Sequence, residues 1–136
     1  MHEKISMGSL PPVLALAYLG DARHSLFVRT ALVRRGIAKS GELNKLSLRY
    51  VTAEAQARAY TKIEGMLDEE EMNVFKRAFN SSHLNKPKRA SGKDYRTATG
   101  FEAIIGMLSY VGDEDRINEL LTVATAEEGE NNDTEN

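Results

Sequence analysis

Apolar residues recur at helical spacing along almost the whole chain, and no stretch shows the strict alternation of a half-buried strand. Ser9-Leu10-Pro11-Pro12 offers a capping serine and prolines suited to a first helical turn. Val13, Leu16, Ala17, Leu26, Phe27 and Ala31 follow, with Gly36 as the stop, and predict one long helix that runs through Gly20-Asp21. Leu43, Leu46 and Val51 predict a short helix over 41–51, and Thr52 caps a third with Ala55, Ala59 and Ile63 on one side. Asp68-Glu69-Glu70-Glu71 pairs a capping residue with a glutamate three positions on, a helix start that predicts a fourth element to about Ala78. Residues 79–94 are polar, basic and broken by glycine and proline, and predict a loop. A loop that long in a compact domain usually has a function or is disordered. Asp94 is the expected cap of the next helix, striped with Ala98, Phe101, Ile104, Ile105 and Leu108 to about Val111. Gly112-Asp113 ends it and opens a last helix through Ile117, Leu120, Leu121 and Ala124. The pattern predicts an all-α fold of about six helices, one domain over 1–126, followed by an acidic disordered tail over 127–136.

Composition narrows the possibilities. A chain of 136 residues fits one domain, and 41% hydrophobic with 28% charged residues is ordinary for a globular one. The lack of cysteine rules out disulfides, thiolate catalysis and thiolate-bound zinc. No apolar run approaches the roughly 18 residues of a membrane span, and Met1-His2-Glu3-Lys4 opens no secretory signal. A cytoplasmic protein with no membrane partner is expected. Charge is uneven: the net −2 conceals a tail with five acids and no base, without which 18 bases face 15 acids. Bases concentrate in 23–39 and 76–96, which permits a nucleic-acid surface without demanding one.

Two carboxylates stand out. Asp21 lies within Leu16-Ala17-Tyr18-Leu19-Gly20-Asp21-Ala22, and Glu102 interrupts Gly100-Phe101-Glu102-Ala103-Ile104-Ile105-Gly106. Each is flanked by small residues that let helix backbones approach, and a buried carboxylate needs a partner or a cation. Each could simply edge into solvent. Alternatively, both could converge on a hard divalent ion such as Mg²⁺. Spacing alone cannot bring together residues 81 positions apart. His2, His24 and His83 have no metal-ligand spacing and read as surface or interface residues. Arg23 and His24 could belong to a contact between subunits. Tyr18, Phe27 and Phe101 read as packing, and Met66, Met72 and Met107 as core filler.

Together the two segments resemble the active-site segments of the ribonuclease III catalytic domain. The likeness is strongest to its short bacterial form, Mini-ribonuclease III, which lacks a double-stranded-RNA-binding domain. Arg49-Tyr50-Val51-Thr52-Ala53 with Gln56-Ala57, then Asn80, Pro87-Lys88 and Tyr95-Arg96, support the resemblance, which runs from about Val13 to Leu121. It implies a helical endonuclease domain that pairs as a homodimer and cleaves double-stranded RNA. Asp21 and Glu102 would be its catalytic residues and Mg²⁺ ligands, leaving 5′-phosphate and 3′-hydroxyl ends. The implied substrate is precursor 23S ribosomal RNA, with a ribosomal protein as a further candidate partner. Lys86, Lys88, Arg89, Lys93 and Arg96, otherwise readable as a solvated face, become phosphate contacts, with Arg49 as a further one.

Departures from the full-length family pattern are specific. Leu14 and Ala17 stand where it has two glutamates, and Thr99 stands where it has an aspartate. The short form resembles this chain in those gaps, which bear on how many metal ions a site holds. Arg23-His24 replace apolar residues, Glu54 a lysine and Phe79 an arginine. The alternatives are a non-catalytic RNA-binding or ribosome-assembly factor on the same fold, and a helical DNA-binding regulator using helix 41–51. Retention of both Asp21 and Glu102 argues against the first, and the lack of a convincing recognition helix argues against the second.

Overall fold

A computed structural model describes residues 9–82 and 92–127. Six α-helices follow in order: α1 Val13–Arg34, α2 Ser40–Val51, α3 Ala53–Ile63, α4 Glu69–Ser81, α5 Gly92–Val111 and α6 Glu114–Ala124. A 3-10 turn, Glu64–Met66, joins α3 to α4, and no strand occurs among the described residues. The expected all-α architecture is the observed one.

Local chemistry sets most of the boundaries. Thr52 Oγ1 accepts from the Ala55 amide and starts α3 directly after α2. Asp68 and Glu71 exchange side-chain and backbone hydrogen bonds in a full capping box at α4. Such a cap is typically worth about 1 kcal/mol. Gly36 and Gly112 adopt φ of 88° and 83°, left-handed backbone that closes α1 and α5 where most other side chains would be strained. Asp113 then caps α6 by accepting from the Arg116 amide.

Three boundaries differ from the sequence reading, the first being the start of α1, where Pro12 rather than Ser9 is the N-cap residue and no side chain caps the helix. Helix α4 continues to Ser81 rather than ending near Ala78, and Asp94 lies inside the first turn of α5 rather than capping it. An aspartate suits either place, because the first turn's free N–H groups favour a negative charge. Lys86, Lys88 and Arg89, and the tail beyond Glu127, lie outside the described residues.

Helix α5 forms the axis of the core. Phe101, Ala103, Ile104 and Ile105 are wholly buried on it, and α1, α3 and α4 pack around it. Ile117, Leu120 and Leu121 of α6 close the same cluster. Tyr60 and Phe75 stack within it at 4.0 Å, almost parallel. One buried ion pair ties α4 to α6: Arg116 donates from Nε and Nη2 to the two Glu71 oxygens at 2.9 and 2.7 Å. The same Nη2 reaches the Met66 carbonyl at 2.7 Å, so the guanidinium also fixes the 3-10 turn.

Helices α1 and α5 cross through glycine. A Cβ on Gly20 would fall 1.7 Å from the Glu102 carbonyl oxygen, and one on Gly106 would fall 1.7 Å from that of Leu16. No side chain fits at either position, so the two backbones themselves are in contact there. This close approach positions the residues beside it.

Candidate active site

Asp21 follows Gly20 on α1, and Glu102 precedes Gly106 by one turn on α5. Because the glycines remove the spacer between helices, the two carboxyl groups come within hydrogen-bonding reach of each other. Asp21 lies on the exposed side of the crossing and Glu102 is partly buried. Burial, then the negative charge of Asp21 and a hydrogen bond to it, push the Glu102 carboxyl up to about 8, while a hydrogen bond from the Gln56 amide partly opposes the rise. With no cation between the two acids, burial and the Asp21 charge together keep the proton on Glu102. The convergence that spacing alone could not supply is therefore present.

Gln56 is 1% exposed on α3, and its Nε2 donates to the Val51 carbonyl at 3.1 Å. Its amide thus links the end of α2 to the acid pair. The sequence signal for this role is a lone amide among Ala55, Ala57 and Ala59, small residues that seat it against α5.

His24, expected at the surface or a subunit contact, is fully buried. Its Nε2 lies 2.9 Å from the Tyr50 carbonyl, which assigns the ring proton to that nitrogen, and its ring meets Phe101 edge-on at 5.3 Å. Burial lowers its pKa despite the Tyr50 carbonyl and nearby Asp21, so the ring is neutral. A helix one turn beyond Asp21 faces the core here, and a compact imidazole fills that space. Arg23, read with it as a candidate subunit contact, bonds Glu114 on α6 at 2.8 Å. Tyr18 is the reverse case: read as packing, it is 85% exposed.

The family pattern's further acid positions remain non-acidic here. Ala17 is buried, and the Thr99 hydroxyl donates back to the Tyr95 carbonyl at 2.9 Å. Among the described residues, no group of three or more histidines and acids could hold a metal ion. The acid pair still fits Mg²⁺, which commonly takes one or two carboxylates and completes its shell with water and phosphate oxygens.

The candidate cations are spread out. Arg49 is exposed in the last turn of α2. On α5, Arg96 and Lys93 precede Glu102 by six and nine residues, or on the order of 9 and 13 Å along the helix. Arg96 is held 4.8 Å over the Phe79 ring, so the aromatic that replaces the family's arginine orients another arginine instead.

A model of the ribonuclease III domain matches residues 14–113. Mini-ribonuclease 3 of Brevibacillus brevis is 45% identical over 83% of this chain and 84% of its own length. The protein of the same name from Symbiobacterium thermophilum is 41% identical over 85% and 88%. A crystal structure of a Fusobacterium nucleatum protein superposes with a TM-score of 0.78 at 32% identity, covering 88% of this chain and 95% of that one.

Proposed function

The chain belongs to the ribonuclease III family and is an endoribonuclease; we propose that it hydrolyses double-stranded RNA with Mg²⁺ held by Asp21 and Glu102. The observation that supports this most is the Gly20–Gly106 crossing, which sets those two carboxyls against each other. Glu102 must ionise for metal to bind, and its carboxyl is pushed up to about 8 first by burial and then by the Asp21 charge, which a cation between the two would offset. Magnesium held there would supply a water of lowered pKa and offset charge on the phosphodiester. Water adds to phosphorus, the bond to the 3′ oxygen breaks, and a 5′-phosphate and a 3′-hydroxyl remain. Gln56 keeps the Glu102 carboxylate in place from α3 while α1 holds Asp21. Lys86, Lys88, Arg89, Lys93, Arg96 and Arg49 serve as contacts to the duplex backbone, which is read through shape and charge.

The enzyme works as a homodimer in this reading, one site per strand. Support comes from α1, where Tyr18, Leu19, Leu26 and Val33 leave 85, 36, 57 and 59% of their surface exposed. Precursor 23S ribosomal RNA is the proposed cytoplasmic substrate, with a ribosomal protein as a further partner. No helix among the described residues is long and apolar enough to cross a membrane. The deciding experiment is incubation with a long RNA duplex, with and without Mg²⁺. Metal-dependent cuts leaving 5′-phosphate ends are expected, and cutting that persists in chelator would refute the metal assignment.

A further inference from the structure

A cleft of about 400 Å³ opens between α2, α3 and the end of α6. Its walls carry Arg49, Arg58 and Lys62, and its floor includes His24, one helical turn beyond Asp21. Three cations around one cavity repel one another, and neither Arg49 nor Arg58 makes an ion pair among the described residues. Such a cleft is built to receive negative charge.

The chain already puts a carboxylate there. Past α6 the backbone turns across the cleft mouth, where Lys62 Nζ donates to the Ala126 carbonyl. The Tyr50 hydroxyl donates to Glu127, whose side chain lines the same cavity. A carboxylate and a phosphate offer cations the same kind of oxygen acceptor. We propose that this cleft is a phosphate site taking an RNA backbone phosphate next to the cut, and that Glu127 holds that place in the free protein. The inference rests on the double-stranded-RNA reading above for its ligand, but not for the site's affinity for phosphate.

Arg58 and Lys62 are exposed on α3, so replacing both by Gln leaves the core alone. In duplex cleavage with Mg²⁺, Arg58→Gln with Lys62→Gln should raise KM severalfold with kcat little changed. It should also flatten the log–log salt dependence of kcat/KM by one to two units, since each phosphate contact accounts for about one. Glu127→Gln should lower KM, because it removes the competing charge. Separately, inorganic phosphate in chelator-containing buffer should bind the wild-type protein measurably by calorimetry and the double variant several times more weakly. Unchanged KM and salt slope in the double variant, or a raised KM in Glu127→Gln, would overturn the site as an RNA contact. Equal phosphate binding by wild type and double variant would overturn it as a phosphate site. If the wild type binds phosphate there but does not cut duplex RNA, the double-stranded-RNA reading fails while the site stands.

Discussion

Gly20 and Gly106 lie against each other with no side chain between them, and a Cβ built on Gly20 would come within 2.7 Å of the Gly106 nitrogen. Both contacts are with backbone, which cannot swing aside as a flexible side chain can. Gly20→Ala or Gly106→Ala must therefore push α1 and α5 apart, and overpacking of this kind costs about 1–3 kcal/mol or more. The same displacement separates Asp21 from Glu102, so cleavage should fall further than the loss of stability explains. Gly41, in α2 with nothing within 4 Å of its Cβ position, is the control. Gly41→Ala should be neutral or stabilise by up to about 1 kcal/mol. Thermal melts and single-turnover cleavage of the three variants check this; a Gly20→Ala protein as stable and active as wild type would contradict it.

The second prediction follows from Glu102, whose carboxyl is raised from an ordinary 4.5 to about 8 by burial and by Asp21. Between these values the folded metal-free protein holds a proton that the unfolded chain releases. Its stability should thus fall as pH rises from about 5 to 8, by at most about 1.4 kcal/mol per pH unit. Magnesium should reverse the trend, raising Tm more at pH 8 than at pH 5, because binding must displace that proton. Glu102→Gln should remove both the slope and the Mg²⁺ response, and Asp21→Asn should abolish cleavage while keeping the fold. A Mg²⁺-induced Tm shift that ignores pH would count against the acid pair as the ligand set.

Glu71 shows the opposite sign. Burial alone would raise its pKa, but hydrogen bonds from Arg116 and the Asp68 amide outweigh this and lower it. Its contribution is therefore present above its unfolded pKa and disappears on acidification below about 4. Glu71 is 2% exposed and Arg116 20%, so removing one partner strands a buried charge. Arg116→Ala should destabilise by roughly 3–5 kcal/mol, and Glu71→Gln by less, because the amide keeps one acceptor for the guanidinium. Denaturant melts at neutral pH check the order of the two effects.

How much of this was legible in the sequence differs from feature to feature. The six helices were readable because caps and stops are local: Thr52, Asp68 and Asp113 act within one turn, and Gly36 and Gly112 act on their own backbone. Asp21 and Glu102 could be singled out as odd acids, but their meeting depends on a crossing between distant helices. The resemblance, rather than periodicity, supplied that meeting. His24 was misread because a titratable residue next to Arg23 looks like surface, while the helix phase turns it onto Phe101. The cleft of Arg49, Arg58 and Lys62 was not visible at all, since four helices and the chain beyond α6 build it together.

The last prediction concerns the uncovered side of α1. Tyr18, Ala22 and Leu26 succeed one another at intervals of four on that helix, with Val33 further along, so these apolar residues share one solvent-facing side with Arg29 among them. A lone domain gains nothing from exposing them, whereas a second copy would bury the row twice over, at about 25 cal/mol for each Å² of apolar surface removed from water. Light scattering at micromolar concentration should therefore report a mass of two chains. Leu26→Glu, at a position 57% exposed, leaves the core untouched and sets one carboxylate against its symmetry mate or the apolar surface around it. The variant should melt as a monomer at lower temperature, and its cuts in a long duplex should become uncoupled nicks in single strands. A Leu26→Glu protein that keeps the mass of two chains would place the pairing surface elsewhere. A wild-type monomer that still cuts both strands in one encounter would remove the two-site arrangement altogether.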